Sequence, residues 1–155
     1  MSIIRKSINS LMLAGALLAT AVTSASADDA GYQAALKDIE ATFGSVPTFF
    51  TQMPKAGFAG SWRQLKELEF SEDTALSPKV KALIGLAVVS QIPCSYCIWA
   101  DALSAKAAGA SDEEIGEAVA VAATERYWST MLNGMQVDLA TFKQELGPLM
   151  AGEAE

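Results

Sequence analysis

The sequence predicts an all-α protein. After a short N-terminal leader the chain is rich in Ala, Leu and Glu, which favour helix. Apolar residues recur at three- and four-residue spacing, the period of a helix face. The alternating β-branched pattern of strands is nearly absent. Internal repeats and low-complexity tracts are not evident either.

The leader has the layout of a secretory signal. Arg5 and Lys6 supply a positive start, Leu11 to Val22 is an apolar run broken only by small residues, and Ala25-Ser26-Ala27 is a small-residue cleavage pattern. The run falls short of the ~20 apolar residues of a membrane span. Cleavage after Ala27 is therefore expected, leaving residues 28–155 as one domain with no membrane anchor, in the periplasm of a bacterium or outside the cell. The chain of 155 residues has 11 basic and 18 acidic residues, a net charge of −7. Losing Arg5 and Lys6 with the leader takes this to −9. A surface this acidic repels nucleic-acid phosphates and anionic lipids, which argues against both as partners.

Each helix can be read in turn. Tyr32, Leu36, Ile39 and Phe43 share one face of a first helix that ends near Gly44. Pro47 to Met53 reads as a short turn or a single helical turn, closed by Pro54. A second helix over Ala56 to Phe70 carries Phe58, Trp62, Leu65 and Leu68 on one face. Ser77-Pro78 is a helix start, with Ser77 as cap and Pro78 at the first helical position. That helix runs to about Gln91 and is apolar nearly all round, as a central helix is. Pro93 forces a break. A further helix is expected from about Cys94 to Ala108, stopped at Gly109. Ser111 caps the next one, with Asp112, Glu113 and Glu114 suited to its positive end; it passes Ala123 and either continues or kinks before Tyr127. A last helix spans Gly134 to Leu146, ahead of Gly147-Pro148.

Histidine is absent, and this excludes more chemistry than any motif present. No His-based triad, His-ligated metal or His general base is possible. The only recognisable chemistry is Cys94-Ser95-Tyr96-Cys97. A spacing of three puts both thiols on one face of a first helical turn, within reach of a disulfide. The helix N-terminus favours thiolate by about 0.3–1 kcal/mol, and up to ~2 when partly buried. Both facts suit thiol–disulfide exchange, in which one thiolate attacks and the other sulfur resolves the mixed disulfide. The competing reading is a static structural disulfide. Zinc is disfavoured, because neither a second cysteine pair nor a histidine is available, and haem attachment fails because Ile98 follows Cys97. No cofactor or metal is called for. A thioredoxin fold is disfavoured by the missing strands.

Three segments in order, Lys81-Ala82-Leu83-Ile84-Gly85-Leu86-Ala87, Cys94-Ser95-Tyr96-Cys97-Ile98 and Gly109-Ala110-Ser111-Asp112-Glu113-Glu114-Ile115-Gly116-Glu117-Ala118-Val119, resemble the carboxymuconolactone decarboxylase and AhpD-like superfamily. The similarity spans roughly Ile39 to Leu146. It implies an all-α, AhpD-like helical bundle, with the CxxC at the N-terminus of a core helix and assembly as a homotrimer or homohexamer. The CxxC branch implies an alkylhydroperoxidase or related thiol oxidoreductase, acting on a peroxide or disulfide with an unidentified thiol reductant. In that branch a Glu and a His relay a proton from the attacking thiol; here Ala82 and Asp101 stand at those positions. By resemblance Cys97, nearest the relay, attacks, and Cys94 resolves. Tyr96 is a common residue there, placed to donate a hydrogen bond to sulfur.

Asp101 follows Cys97 by four residues and Cys94 by seven, so it shares the thiol face. A carboxylate ~4 Å from a thiolate would repel it by about 4 kcal/mol at an effective dielectric of 20. That is roughly three pKa units, more than the helix dipole offers. Asp101 in its neutral form could instead pass a proton to and from sulfur, and a solvated Asp101 turned aside from the sulfurs would do neither. Trp62, Trp99, Tyr127 and Trp128 suit either a substrate pocket or, more commonly, a core. Met131 and Met135, one turn apart, suit packing better than Cu(I) ligation. A non-catalytic helical oligomer with a structural disulfide, serving as a binding or assembly module, is the alternative function. A decarboxylase is weaker still, since no polar constellation is present to hold a lactone.

Overall fold

The computed structural model describes residues 19–152, with side chains from Asp28 onward. Its described residues form helices and connecting turns, with no strand. Much of the expected leader lies outside the described residues; the part inside them, including Ala25-Ser26-Ala27, is helical. Two compact units divide the chain at Phe70 and Ser71.

The first unit holds α1 (Ala19–Phe43), the single turn α2 (Thr48–Thr51) and α3 (Phe58–Leu65). The period of Tyr32, Ala35 and Ile39 along α1 turns all three toward Phe58 and Trp62 on α3, and these five make the core. Ile39 has no exposure at all. The Trp62 indole donates to Asp38 Oδ2 at 2.7 Å, and Lys66 Nζ donates to Asp38 Oδ1 at 2.7 Å. Lys66 first, and Trp62 second, hold the Asp38 carboxyl below its ordinary range. Gly44, at φ 78°, ends α1 where expected.

The expected single helix to Phe70 is interrupted. After Leu65 the chain widens into a π-helical turn over Lys66–Phe70. This leaves Leu68 exposed and brings the Phe70 ring to 6.1 Å from Trp62 and 5.9 Å from Phe43. Aromatic clustering overrides the simple period here.

The second unit holds α4 (Pro78–Gln91), α5 (Ser95–Ala107), α6 (Asp112–Gly134) and α7 (Leu139–Ala151). Helices α4, α5 and α6 pack on one another. Their buried residues are Leu86, Ala105 and Ala122, and the two alanines let the backbones approach closely. Ser77 accepts from Val80 N and caps α4 behind Pro78. Ser111 and Glu114 close a capping box on α6, and Glu114 Oε1 also takes Lys79 Nζ at 2.7 Å, tying the starts of α4 and α6 together. Arg126 Nε donates to Gln91 Oε1 at 2.8 Å, tying the end of α4 to α6. Gly109, at φ 84°, stops α5, and Ala110 N reaches back to Ala105 O.

Two boundaries differ from expectation. The α6 helix runs unbroken through Tyr127 to Gly134. The last helix starts later and runs on through Gly147-Pro148 to Ala151. Asp138, not Gly134, is its cap, accepting from Thr141 N at 2.8 Å. One proline near a helix end removes one amide donor and its bond, which the remaining turns tolerate. The core reading of the aromatics holds for Trp62 alone. Trp99, Tyr127 and Trp128 are more than half exposed, because alanines rather than rings make the α5 and α6 contacts.

Candidate redox site

Pro93 ends the run from α4, and the chain re-enters helix at Cys94. The Cys94 amide donates to Val89 O at 3.4 Å, so the turn is anchored to the end of α4. Cys94 is the N-cap of α5: its backbone is extended and its Sγ accepts the Cys97 amide at 3.3 Å. Sulfur thus occupies the place that the Ser77 and Ser111 oxygens take at α4 and α6. Cys94 and Cys97 are joined as a disulfide, with Cα atoms 5.3 Å apart. Both residues are half-buried.

From Cys97 the same face of α5 continues to Asp101 and then to Ala105, which is wholly buried. Asp101 lies against Gly85 of α4. A methyl group on Gly85 would sit 3.1 Å from Asp101 Oδ2 and 3.4 Å from its Cγ. A glycine inside an otherwise apolar helix therefore makes room for a carboxyl group. Burial pushes the Asp101 carboxyl above its ordinary range. The basic groups of the neighbouring helices are held elsewhere. Lys79 pairs with Glu114, Lys81 Nζ donates to Ser71 O at 2.7 Å, Arg126 holds Gln91, and Lys106 pairs with Asp112.

Helical spacing predicts both sulfurs and Asp101 on one face; the structure joins the two sulfurs and seats the Asp101 carboxyl group against Gly85. Spacing alone does not reveal Gly85. The available signal was an isolated glycine in a helical apolar run, which costs about 1 kcal/mol against alanine and asks for a packing reason. The Tyr96 ring is 87% exposed, and no hydrogen bond among the described residues joins it to either sulfur. Ala82 brings no acid to the site. Among the described residues no group of three or more Cys, Asp and Glu could hold a metal ion.

Chemically, the site offers a two-electron disulfide, one sulfur bonded to a helix-terminal amide, and one carboxyl group with no cation paired to it among the described residues. A search of curated proteins finds no match. Among solved structures, the alkylhydroperoxidase AhpD core from Rhodospirillum rubrum is similar. The two are 26% identical, the match covers 83% of this chain and 94% of that one, and the TM-score is 0.60. The model of the carboxymuconolactone decarboxylase family matches residues 56–139, a stretch that holds Gly85, both cysteines, Asp101 and the capping box of α6. With more than half of its length matched, the chain belongs to the carboxymuconolactone decarboxylase family.

Proposed function

We propose that the protein is a thiol oxidoreductase that reduces a peroxide or exchanges disulfides through Cys94 and Cys97. The observation that carries this reading is the disulfide at the start of α5, with Cys94 Sγ on the Cys97 amide. A helix-terminal amide favours a sulfur that must carry negative charge during exchange. The likeness to the AhpD core agrees with it.

The closing chemistry balances without a cofactor. A hydroperoxide takes two electrons from the two thiols, its O–O bond breaks, and alcohol, water and the disulfide result. A dithiol then returns two electrons and two protons. The reductant is a thiol of unspecified source. The same proposal places the mature chain, residues 28–155, in an oxidising compartment outside the cytoplasm, where such a bridge persists. It also makes the working form a homotrimer or homohexamer.

The decisive experiment is turnover of an alkyl hydroperoxide and of a small disulfide with a dithiol as reductant, in wild type, Cys94→Ser and Cys97→Ser. Wild type is expected to cycle and both variants to stop. Two free thiols in exported protein, or a bridge that resists mild reductant, would sink the reading. Peroxide turnover is expected to be low, since Ala82 and Asp101 stand where relatives carry the relay. A high rate, unchanged in Asp101→Ala, would refute that part.

That same replacement favours a second reading, a structural disulfide in a binding or assembly module. Structural bridges sit below about −300 mV and exchanging ones above it, so the potential of the couple separates the two.

A further inference from the structure

The two sulfurs stand in unequal surroundings. Cys94 Sγ receives the Cys97 amide at the positive end of α5. Cys97 has Asp101 one turn further along its own face, and Gly85 of α4 leaves the room in which that carboxyl group lies. Cys94 is two turns from Asp101. An amide donor and a helix N-terminus favour a negative sulfur, whereas a carboxylate one turn away disfavours it.

We propose that Cys94 is the attacking sulfur and that Asp101, seated over Gly85, is a positioning residue that keeps Cys97 protonated until the disulfide closes. This rests on the redox reading above and reverses the order that family resemblance implies. In the first step the Cys94 thiolate bonds to one sulfur of a substrate disulfide, whose S–S bond breaks and whose other half leaves as a thiolate. In the second, Cys97 bonds to Cys94 Sγ, the mixed disulfide breaks, and the proton of Cys97 ends on the departing thiolate. Two electrons pass to the substrate, and the Cys94–Cys97 bridge is formed.

The charges around Asp101 agree with this division. On α4, Lys79 and Lys81 are bound to Glu114 and Ser71. On α6, Arg126 is bound to Gln91, and the other charged residues of that helix beyond the capping box and Asp112, namely Glu113, Glu117 and Glu125, are acidic. On α5 itself, Lys106 pairs with Asp112. Burial without a cation raises the Asp101 carboxyl, which brings it nearer to a thiol in proton affinity.

The test is alkylation by iodoacetamide as a function of pH, after full phosphine reduction, with the modified cysteine identified by peptide mass. In Cys97→Ser and Cys94→Ser, the remaining Cys94 is expected to react about tenfold faster near neutrality than the remaining Cys97. Adding Asp101→Asn to Cys94→Ser should speed Cys97 by about tenfold and move its pH profile to lower pH. In the two-cysteine chain, Asp101→Asn should erode the preference for Cys94, and Asp101→Ala should do the same. Labelling of Cys97 first, or a ratio that neither Asp101 variant changes, would overturn the proposal. A bridge that no mild dithiol opens would instead refute the redox reading, and the labelling order after phosphine would still show which thiol is the more acidic.

Discussion

Gly85 and Gly116 are both glycines inside helices, yet they are there for different reasons. A side chain on Gly85 meets the Asp101 carboxyl group, while nothing lies within 4 Å of a methyl group on Gly116. Gly85→Val should therefore cost about 1–3 kcal/mol by overpacking. Gly116→Ala should stabilise by about 0.5–1 kcal/mol, through helix propensity and a less free unfolded chain. Urea unfolding of the two variants checks both, and a stabilising Gly85→Val would show that Asp101 yields its place freely. Asp101 also has a pH signature. Its folded-state affinity for a proton is raised by burial. The stability linked to it is present below the ordinary Asp range, about pH 4, and is lost as pH rises through the raised value. Asp101→Asn should therefore gain on wild type between about pH 4 and neutrality, in melting scans across that interval. At this scale the two sulfurs and Asp101 were legible in the sequence because spacing alone puts them on one face. The notch at Gly85 was not, because it depends on which residue of α4 opposes Asp101.

Helix ends carry the next level. Ser77, Cys94, Ser111 and Asp138 each cap a helix through a side-chain acceptor. Ser111→Ala removes one of the two bonds of the α6 capping box and should cost about 1 kcal/mol, measured by chemical unfolding. Glu114 closes that box and binds Lys79. Lys79 first, and the Ser111 amide next, hold its carboxyl below the ordinary range. A lowered carboxyl gives stability that is present above its unfolded value and lost as pH falls through that region. Glu114→Gln should accordingly flatten the acid side of the stability profile below about pH 5, with little change near neutrality beyond the lost ion pair. An unchanged acid limb would show that the bridge to Lys79 is not made in solution. Helix starts at Ser77-Pro78 and Ser111 were readable because caps are local signals. The π-helical turn at Lys66–Phe70 and the passage of α7 through Pro148 were not, since rings distant in sequence and the neighbouring helical turns decide them.

Across the molecule, the second unit buries few large side chains and exposes many. Ile92, Tyr96, Trp99, Val121, Met135 and Leu149 are all more than half exposed. Exposed apolar surface on this scale marks contact with another chain or ligand, and it supports the proposed homo-oligomer. Sedimentation of the mature protein should give a mass of three or six chains. Trp99→Glu with Trp128→Glu should reduce that mass while far-UV helicity is kept. A wild type that sediments as a single chain would refute the assembly. No helix among the described residues is long and apolar enough to cross a membrane.

The sequence by itself determined the all-α class, most helix starts and the location of the cysteine pair. Period, caps and the Cys94–Cys97 spacing are all properties of neighbours along the chain. Only the tertiary structure decided that Asp101 rests on Gly85 and that Trp62 alone of the tryptophans is core. Each of these depends on what lies opposite a side chain, and facing partners are set by how helices pack, which one-dimensional spacing does not encode. The disulfide at the start of α5 was thus foreseeable as a pair, while the unequal roles proposed for its two sulfurs come from their surroundings.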